Sequence, residues 1–238
     1  MTGAASFRRP CREVVWLVLL RATAVTVAAI SLVSRADCAF VYGTCSIRNL
    51  LGYFTIDSAI LFCLVTAASL IWVLVGAREP VWLLGARVIV GSYVILSGGV
   101  FAMLMSAAGY TGAEFLVPMS SRVLHFILPG FVLLDLLTAE TSTRLPRALP
   151  LISWVFPLGW EVVTLIRGNA TDWYPYFFVS PEAAGGPAAI AAYSAGLALL
   201  IAGVVVAVER LRAAAVRTVA GSRRSCRTGA GAQGRAAP

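Results

Sequence analysis

The fold of this chain is decided by long apolar segments such as residues 51–75, which read LGYFTIDSAILFCLVTAASLIWVLV and contain one charged residue, Asp57. About 20 apolar residues in a helix span the hydrocarbon core of a bilayer, so this segment is long enough to cross a membrane. Five further segments share its apolar character. They are residues 14–33, 82–108, 121–137, 148–166 and 188–208.

The composition favours a membrane protein over a soluble domain. The chain is 59% hydrophobic and 13% charged, with a mean hydropathy of +0.85, whereas about 25% of the residues in a soluble domain are charged. Backbone groups in lipid must hydrogen-bond within their own segment, which favours helices. We therefore predict an all-α polytopic membrane protein, with a bundle of six transmembrane helices over residues 14–208. Residues 1–13 form a cytoplasmic segment in this prediction, and residues 209–238 form a basic, disordered cytoplasmic tail.

The arginine positions predict the orientation of the bundle. With the amino terminus in the cytoplasm, the outer loops and helix ends hold only Arg35, Arg48, Arg122 and Arg167. Most of the other arginines then lie on the inner side, as the positive-inside rule requires. We expect an integral protein of the bacterial plasma membrane with both termini in the cytoplasm. Segment 14–33 is longer than the apolar part of a signal peptide, so we interpret it as an uncleaved first helix.

The net charge of +8 does not indicate a nucleic-acid-binding protein. Most of the basic residues lie in short tails and loops between apolar segments, and the sequence contains no zinc-ligand spacing or phosphate-binding loop. We expect membrane lipids or a lipid ester substrate as partners, with no nucleic acid, no metal and no cofactor.

Two outer loops carry further features. Cys38 and Cys45 fall together in the first outer loop, where oxidation is possible, and the sequence leaves their pairing open. The last outer loop contains the aromatic run 173–178. Aromatic rings of this kind settle at the membrane interface, or they roof a lipid-binding cavity.

Thr55 and His125 are the strongest candidates for a functional pair. His125 is the only histidine in the chain, and Thr55 lies a little over one turn inside an apolar segment. An ionisable group at membrane depth is unfavourable and by default indicates function. A hydroxyl opposite an imidazole is the minimum required for a nucleophile and its general base.

Counting residues from the helix ends places four polar residues at one level. Thr55 lies roughly 6 Å below the outer end of its helix, and His125 lies at about the same depth. Asp57 falls at this level too, and Glu161 lies roughly 9 Å below the outer surface. These side chains meet only if the second, fourth and fifth helices pack together.

Each residue also has a structural interpretation. Thr55 can hydrogen-bond a carbonyl one turn back in its own helix, as many membrane threonines do. His125 can join two helices through a hydrogen bond. Asp57 is two positions from Thr55 and points to a different helix face, whereas Ser58, three positions on, shares the face of Thr55.

Several motifs together resemble the bacterial six-helix relatives of the androgen-induced membrane proteins. They are YFTIDS at 53–58, LHFILP at 124–129 with Asp135, FP at 156–157, RG at 167–168 and WYPY at 173–176. The resemblance covers residues 14–210, and the motifs follow the order of the family. Animal members are membrane-embedded threonine hydrolases that cleave fatty acid esters of hydroxy fatty acids. The resemblance implies a helical bundle in which Thr55 is the nucleophile and His125 is its partner.

The expected activity is the hydrolysis of a lipid ester. His125 would take the proton of Thr55, whose hydroxyl attacks the ester carbonyl to form an acyl-enzyme that water then hydrolyses. Glu161 or Asp172 would orient the imidazole, as the third member of a catalytic triad does. The remaining candidate orienting or cavity residues are Asp57 and Ser58.

Two other functions are compatible with the sequence. In the first, the chain is a non-enzymatic carrier or small-molecule receptor in which Asp57, His125 and Glu161 form a proton or ligand relay. No inverted repeat is visible, which makes a transporter less favoured. In the second, the chain is a structural membrane subunit.

Overall fold

The computed structural model describes residues 11–107, 117–138 and 143–233, and the side chains of residues 14–217 within those ranges. The structure is 83% helical, and the described ranges include no strand. Six helices are long and apolar enough to cross a membrane, which confirms the predicted all-α, six-helix fold. They are α1 (Cys11–Phe40), α2 (Phe54–Leu74), α3 (Val81–Ala107), α4 (Met119–Thr138), α5 (Leu149–Thr171) and α6 (Pro187–Gln233).

Consecutive helices run in opposite directions along the bundle, as the side-chain contacts between them show. We call the end where α1 stops and α2 starts the Cys38 end, and the end where α2 stops and α3 starts the Glu79 end. A disulfide between Cys38 and Cys45 joins the last turn of α1 to the loop before the short helix Ile47–Leu50. A 3-10 turn, Phe177–Val179, and the short helix Pro181–Ala184 connect α5 to α6 at the same end.

The helix α3 lies at the centre of the bundle. It packs against α2, α4 and α6, and α1 packs against α2 and α4. Val88 and Tyr93 of α3 and Leu128 of α4 are buried between these helices. The least buried helices are α5 and α6, which expose large apolar side chains such as Val163 and Leu199. Lipid tails are as apolar as leucine, so such a surface suits a bilayer.

The carboxyl-terminal part of the chain differs from the prediction. Helix α6 continues to Gln233, so residues 209–233 are helical where we predicted a disordered tail. Alanine and arginine, which are frequent in this segment, have high helix propensity, and the prediction considered apolar periodicity only. Of the predicted cytoplasmic segment 1–13, residues 1–10 lie outside the described residues, and so do residues 234–238 at the other end of the chain.

A buried network of charged side chains joins four helices near the Glu79 end. Asp135 of α4 accepts hydrogen bonds from Arg21 of α1 (2.8 Å) and from Arg87 of α3. Arg87 also pairs with Glu79 (2.8 Å), and Ser69 of α2 contacts both Arg21 and Glu79. Both arginines and both carboxylates are almost inaccessible to solvent. Loss of one member would leave an unpaired buried charge, so the network fixes α1 to α4 relative to one another.

Candidate functional site

The backbone around His125 departs from a regular α-helix. Residues Val123–Ile127 form a π-helical turn between two α-helical parts of α4. Pro129, four residues after His125, has no N–H to bond the His125 carbonyl, and its ring would collide with that carbonyl in a regular helix. The wider turn accommodates the proline, and turns of this kind are frequent at functional sites.

Helix α3 approaches this turn closely because Gly98 has no side chain. A Cβ atom on Gly98 would overlap the carbonyl oxygen of His125 and press against Pro129. A Cβ atom on the neighbouring Gly99 would meet open space. Glycine at position 98 therefore allows the short distance between α3 and α4 that brings Ser97 and His125 to one cavity.

The structure brings together the two residues that were selected from the sequence. The hydroxyl oxygen of Thr55, in the first turn of α2, lies 3.2 Å from Nε2 of His125. Both side chains line the same cavity. The imidazole ring is stacked on Phe101 of α3, with the ring centroids 3.9 Å apart. The second, third and fourth helices therefore meet at this pair.

The hydrogen bonds of the imidazole determine its tautomer. Nδ1 lies 2.8 Å from the backbone carbonyl oxygen of Ser121, and the Ser121 hydroxyl is more distant at 3.3 Å. A carbonyl oxygen can only accept a hydrogen bond, so in the neutral imidazole Nδ1 carries the proton and Nε2 is an acceptor. The Thr55 hydroxyl therefore donates its hydrogen to Nε2. A nucleophile and its general base require this direction.

Ser97 of α3 adds a second hydroxyl to the site. Its oxygen lies 2.7 Å from the hydroxyl oxygen of Thr55. Because Thr55 donates to His125, Ser97 donates to Thr55, and the three side chains form one directed chain of hydrogen bonds. Sequence reasoning missed Ser97. It lies ten residues, or roughly 15 Å, before the end of α3, so counting from the helix end would place it well below Thr55.

Tyr176 reaches the start of α2 from the loop after α5. Its hydroxyl lies close to the side chain of Thr55 and to the backbone of Phe54 and Thr55, and its ring lines the same cavity. The first N–H groups of a helix have no partner within that helix, and the preceding Tyr53 side chain does not cap them, so an oxygen atom at this position is well placed to accept from them. Burial raises the pKa of Tyr176 to about 12, which keeps its hydroxyl protonated. The sequence contained one indication of Tyr176, because it belongs to the aromatic run 173–178. We expected these rings to lie either at the membrane interface or over a lipid-binding cavity.

The cavity around these hydroxyls is mostly apolar. Its volume is about 110 Å³, below the roughly 300 Å³ at which pockets for whole small ligands begin. Its walls come from α2 to α6 and include Leu96, Val100, Trp154, Leu197 and Ile201. Only the reacting part of a long apolar molecule would fit inside.

Neither carboxylate expected to orient His125 is bonded to it. Glu161 lines the same cavity but accepts a hydrogen bond from Ser194 of α6. Asp172 is exposed at the end of α5 and is not part of the cavity wall. The group that orients the imidazole is the Ser121 carbonyl, one turn earlier in α4. A search for acidic side chains could not have found a backbone group.

Asp57 and Ser58 do not line this cavity either. Ser58 is buried and donates a hydrogen bond to the Thr55 carbonyl oxygen, 3.1 Å away. Asp57 lines a separate pocket, since a residue two positions further along a helix points to another face. The relay of Asp57, His125 and Glu161 that the sequence suggested is therefore divided between two pockets.

The arrangement as a whole can activate a hydroxyl group. Ser97 hydrogen-bonds the oxygen of Thr55, Tyr176 lies beside it, His125 accepts its hydrogen, and the Ser121 carbonyl fixes the ring. Among the described side chains, those of residues 14–107, 117–138 and 143–217, no three of His, Cys, Asp or Glu gather as metal ligands. Comparison of the chain with protein-family models, with curated proteins and with solved structures finds no match.

Proposed function

We propose that the chain is an integral-membrane hydrolase that cleaves a lipid ester, with Thr55 as nucleophile and His125 as general base. The observation that carries this proposal is the hydrogen bond from the Thr55 hydroxyl to Nε2 of His125. A histidine whose Nδ1 is bound to an acceptor and whose Nε2 faces a hydroxyl has the arrangement of a catalytic triad. The resemblance of its motifs to those of the bacterial six-helix relatives of the androgen-induced membrane proteins supports the same assignment.

In the proposed reaction, His125 removes the hydroxyl proton while the Thr55 oxygen attacks the ester carbonyl. The carbonyl oxygen takes the electron pair of the C=O π bond, and a tetrahedral intermediate forms. His125 then gives the proton to the departing oxygen, so the alcohol leaves and the acyl group remains on Thr55. A water molecule, deprotonated by His125, attacks this acyl-enzyme. The second tetrahedral intermediate then collapses. His125 returns the proton to the Thr55 oxygen as the acid is released, which restores the Thr55 hydroxyl.

Tyr176 is the proposed donor to the negative oxygen of the intermediate. Its hydroxyl is neutral, buried and adjacent to Thr55. Donors that already point to the place where charge develops stabilise a transition state strongly. The positive end of the α2 helix dipole lies at the same place and also favours negative charge.

The proposed site lies near the outer face of the bacterial plasma membrane, and both termini are cytoplasmic. The arginine distribution supports this orientation. Thr55 is in the first turn of α2, at the Cys38 end. An acyl chain can then remain among lipids while the ester group enters the cavity. Membrane lipids or lipid esters are the substrates that suit this position.

A carrier or receptor is the second candidate function. Glu161 favours it, because this carboxyl group and His125 line one cavity. The two candidates differ in what they require of Thr55. A nucleophile is essential for turnover, whereas a relay that uses His125 and Glu161 does not need the threonine hydroxyl.

Ester hydrolysis by the purified protein in lipid nanodiscs separates these candidates. Thr55→Val keeps the side-chain shape without the hydroxyl and should lower the rate roughly 10³-fold or more, whereas Thr55→Ser should keep measurable turnover. Thr66→Val is the matched control, because Thr66 is a buried threonine of the same helix. Near-wild-type hydrolysis in Thr55→Val would exclude the proposed enzyme. Impaired proton-coupled transport in His125→Ala and Glu161→Gln, with Thr55→Val unaffected, would identify the carrier.

A further inference from the structure

A second pocket lies between α2 and α5 at the Cys38 end. Trp160 lines both this pocket and the Thr55 cavity, and its indole N–H donates to the Gly52 carbonyl oxygen, 3.2 Å away. The second pocket has three charged side chains in its wall, which the proposed hydrolysis does not use. They are Arg48, Asp57 and Arg167.

The carboxyl group of Asp57 is half-buried in the first turn of α2. In the part of the chain that the structure describes, it forms no ion pair and no hydrogen bond. A charged group at membrane depth is unfavourable without a partner. The amino-terminal end of a helix reduces this penalty for an anion but does not replace a cation. Asp57 is therefore available to bind a positively charged group.

The two arginines of the pocket differ in their contacts. Arg167 donates to the side chain of Asn49, and its guanidinium lies 4.6 Å from the centre of the Trp173 ring. Arg48 is exposed at the edge of the pocket. Neither arginine forms a salt bridge with Asp57. The pocket therefore contains positive and negative side chains that do not neutralise one another. A ligand with both a negative and a positive group would suit it.

The apolar side of the pocket indicates where the apolar part of such a ligand would bind. Val155, Gly159 and Val163 of α5 form this side. Val155 and Val163 are also strongly exposed, at 73% and 64%, so an apolar strip continues from the charged groups along the outside of α5. The acyl chains of a lipid would cover this strip, whereas a free polar solute would leave it bare.

We propose that this pocket binds a phospholipid whose headgroup carries a primary amine, as that of phosphatidylethanolamine does. Arg48 and Arg167 bind the phosphate, Asp57 binds the ammonium group, and an acyl chain lies along Val155 and Val163. The site is independent of chemistry at Thr55. Helix α5 is one of the two least buried helices. The bound lipid would contact both α5 and α2 and would stabilise their packing.

Lipid binding by the full-length protein tests this proposal. Native mass spectrometry would compare phosphatidylethanolamine, phosphatidylcholine and phosphatidylglycerol with identical acyl chains. Phosphatidylethanolamine should bind about tenfold more tightly than phosphatidylcholine, whose trimethylated amine has no N–H to donate to Asp57. Asp57→Asn should abolish this preference, and the control Asp172→Asn, at an exposed position of the same end, should keep it. Arg48→Gln should weaken the binding of both phosphatidylethanolamine and phosphatidylglycerol.

Equal affinity of the wild-type protein for phosphatidylethanolamine and phosphatidylcholine would overturn the proposal, as would an unchanged preference in Asp57→Asn. Unchanged phosphatidylglycerol binding in Asp57→Asn is expected and shows that the variant is folded. Soluble phosphoethanolamine should not displace the lipid, and displacement at equal concentration would identify a site for a free solute instead. Inactive Thr55→Val should bind phosphatidylethanolamine as the wild type does, which separates this test from that of the hydrolase.

Discussion

The hydroxyl oxygen of Thr55 and Nε2 of His125 lie 3.2 Å apart, although the two residues are 70 positions apart in the sequence and belong to different helices. The contact depends on the start of α2 at Phe54, on the π-helical turn Val123–Ile127 and on the absence of a side chain at Gly98. Substitutions that alter these features should change the site in defined ways.

Gly98→Ala should impair the site without replacing any proposed catalytic group. The added methyl group overlaps the His125 carbonyl oxygen, which is part of the backbone and cannot rotate away, so α3 and α4 must separate. We expect hydrolysis to fall by about 10²-fold, since a shift of about 1 Å has effects of this size, and stability to fall by about 1–3 kcal/mol. Gly99→Ala is the matched control, and it should change neither the rate of hydrolysis nor the stability, because a Cβ atom there meets open space. Equal activities of the two variants would contradict the close contact of α3 with His125.

Tyr176→Phe should lower kcat by about 10²–10³-fold, the usual effect of losing one donor to an oxyanion. KM should change little, because the aromatic contacts with Trp160 and Phe178 remain. The raised pKa of Tyr176, about 12, means that the neutral donor form is retained as pH increases, so we expect no fall in rate from its ionisation between about pH 7 and 10. Tyr174→Phe, in the same loop, should behave as the wild type. An unchanged kcat in Tyr176→Phe would remove this residue from the mechanism.

The six helices could be predicted from the sequence because the thickness of a bilayer sets the length of each apolar segment. Thr55 and His125 could be selected for a similar reason, since depth along a helix follows from residue counting. The same counting would not have found Ser97, because α3 is 27 residues long. The carboxyl-terminal end of α3 extends beyond the level at which α2 begins, so a residue count from that end does not give the depth of Ser97 relative to Thr55.

Other parts of the site depend on contacts that no local pattern contains. The Ser121 carbonyl orients His125 through the backbone, so no residue type marks it. Tyr176 reaches Thr55 from a loop, and helical periodicity does not place loop residues. The Cys38–Cys45 disulfide was left open because sequence alone does not give the distance between two Cα atoms, which is 5.3 Å in the structure.

Asp135→Ala should destabilise the bundle more than any exposed carboxylate substitution. It leaves Arg21 and Arg87 buried with their shared partner removed, and the loss of one partner from a buried pair lowers stability by about 3–5 kcal/mol. Unfolding in mixed micelles of mild detergent and dodecyl sulfate would measure the difference. Glu182→Ala, at an exposed position, should have little effect. Similar stabilities for the two variants would show that the buried network does not hold the helices together.

Cysteine labelling should place the Cys38 end outside the cell. A membrane-impermeant maleimide should label Asp172→Cys on intact cells but should label Ala77→Cys, near the Glu79 end, only after permeabilisation. The arginine distribution is the reason for this expectation. The reverse pattern would move the proposed site to the cytoplasmic face.

The measurement that tests the central claim most directly is the position of the covalent adduct formed by a fluorophosphonate with a long alkyl chain. An activated hydroxyl displaces fluoride from this probe and keeps the phosphonyl group, so peptide mass spectrometry can locate the reacting oxygen. We predict one adduct in the wild-type protein, on Thr55, and no labelling of Thr55→Val or His125→Ala. Labelling of Thr55→Val at the wild-type rate, or an adduct on Ser97 instead of Thr55, would contradict the assignment of Thr55 as the nucleophile.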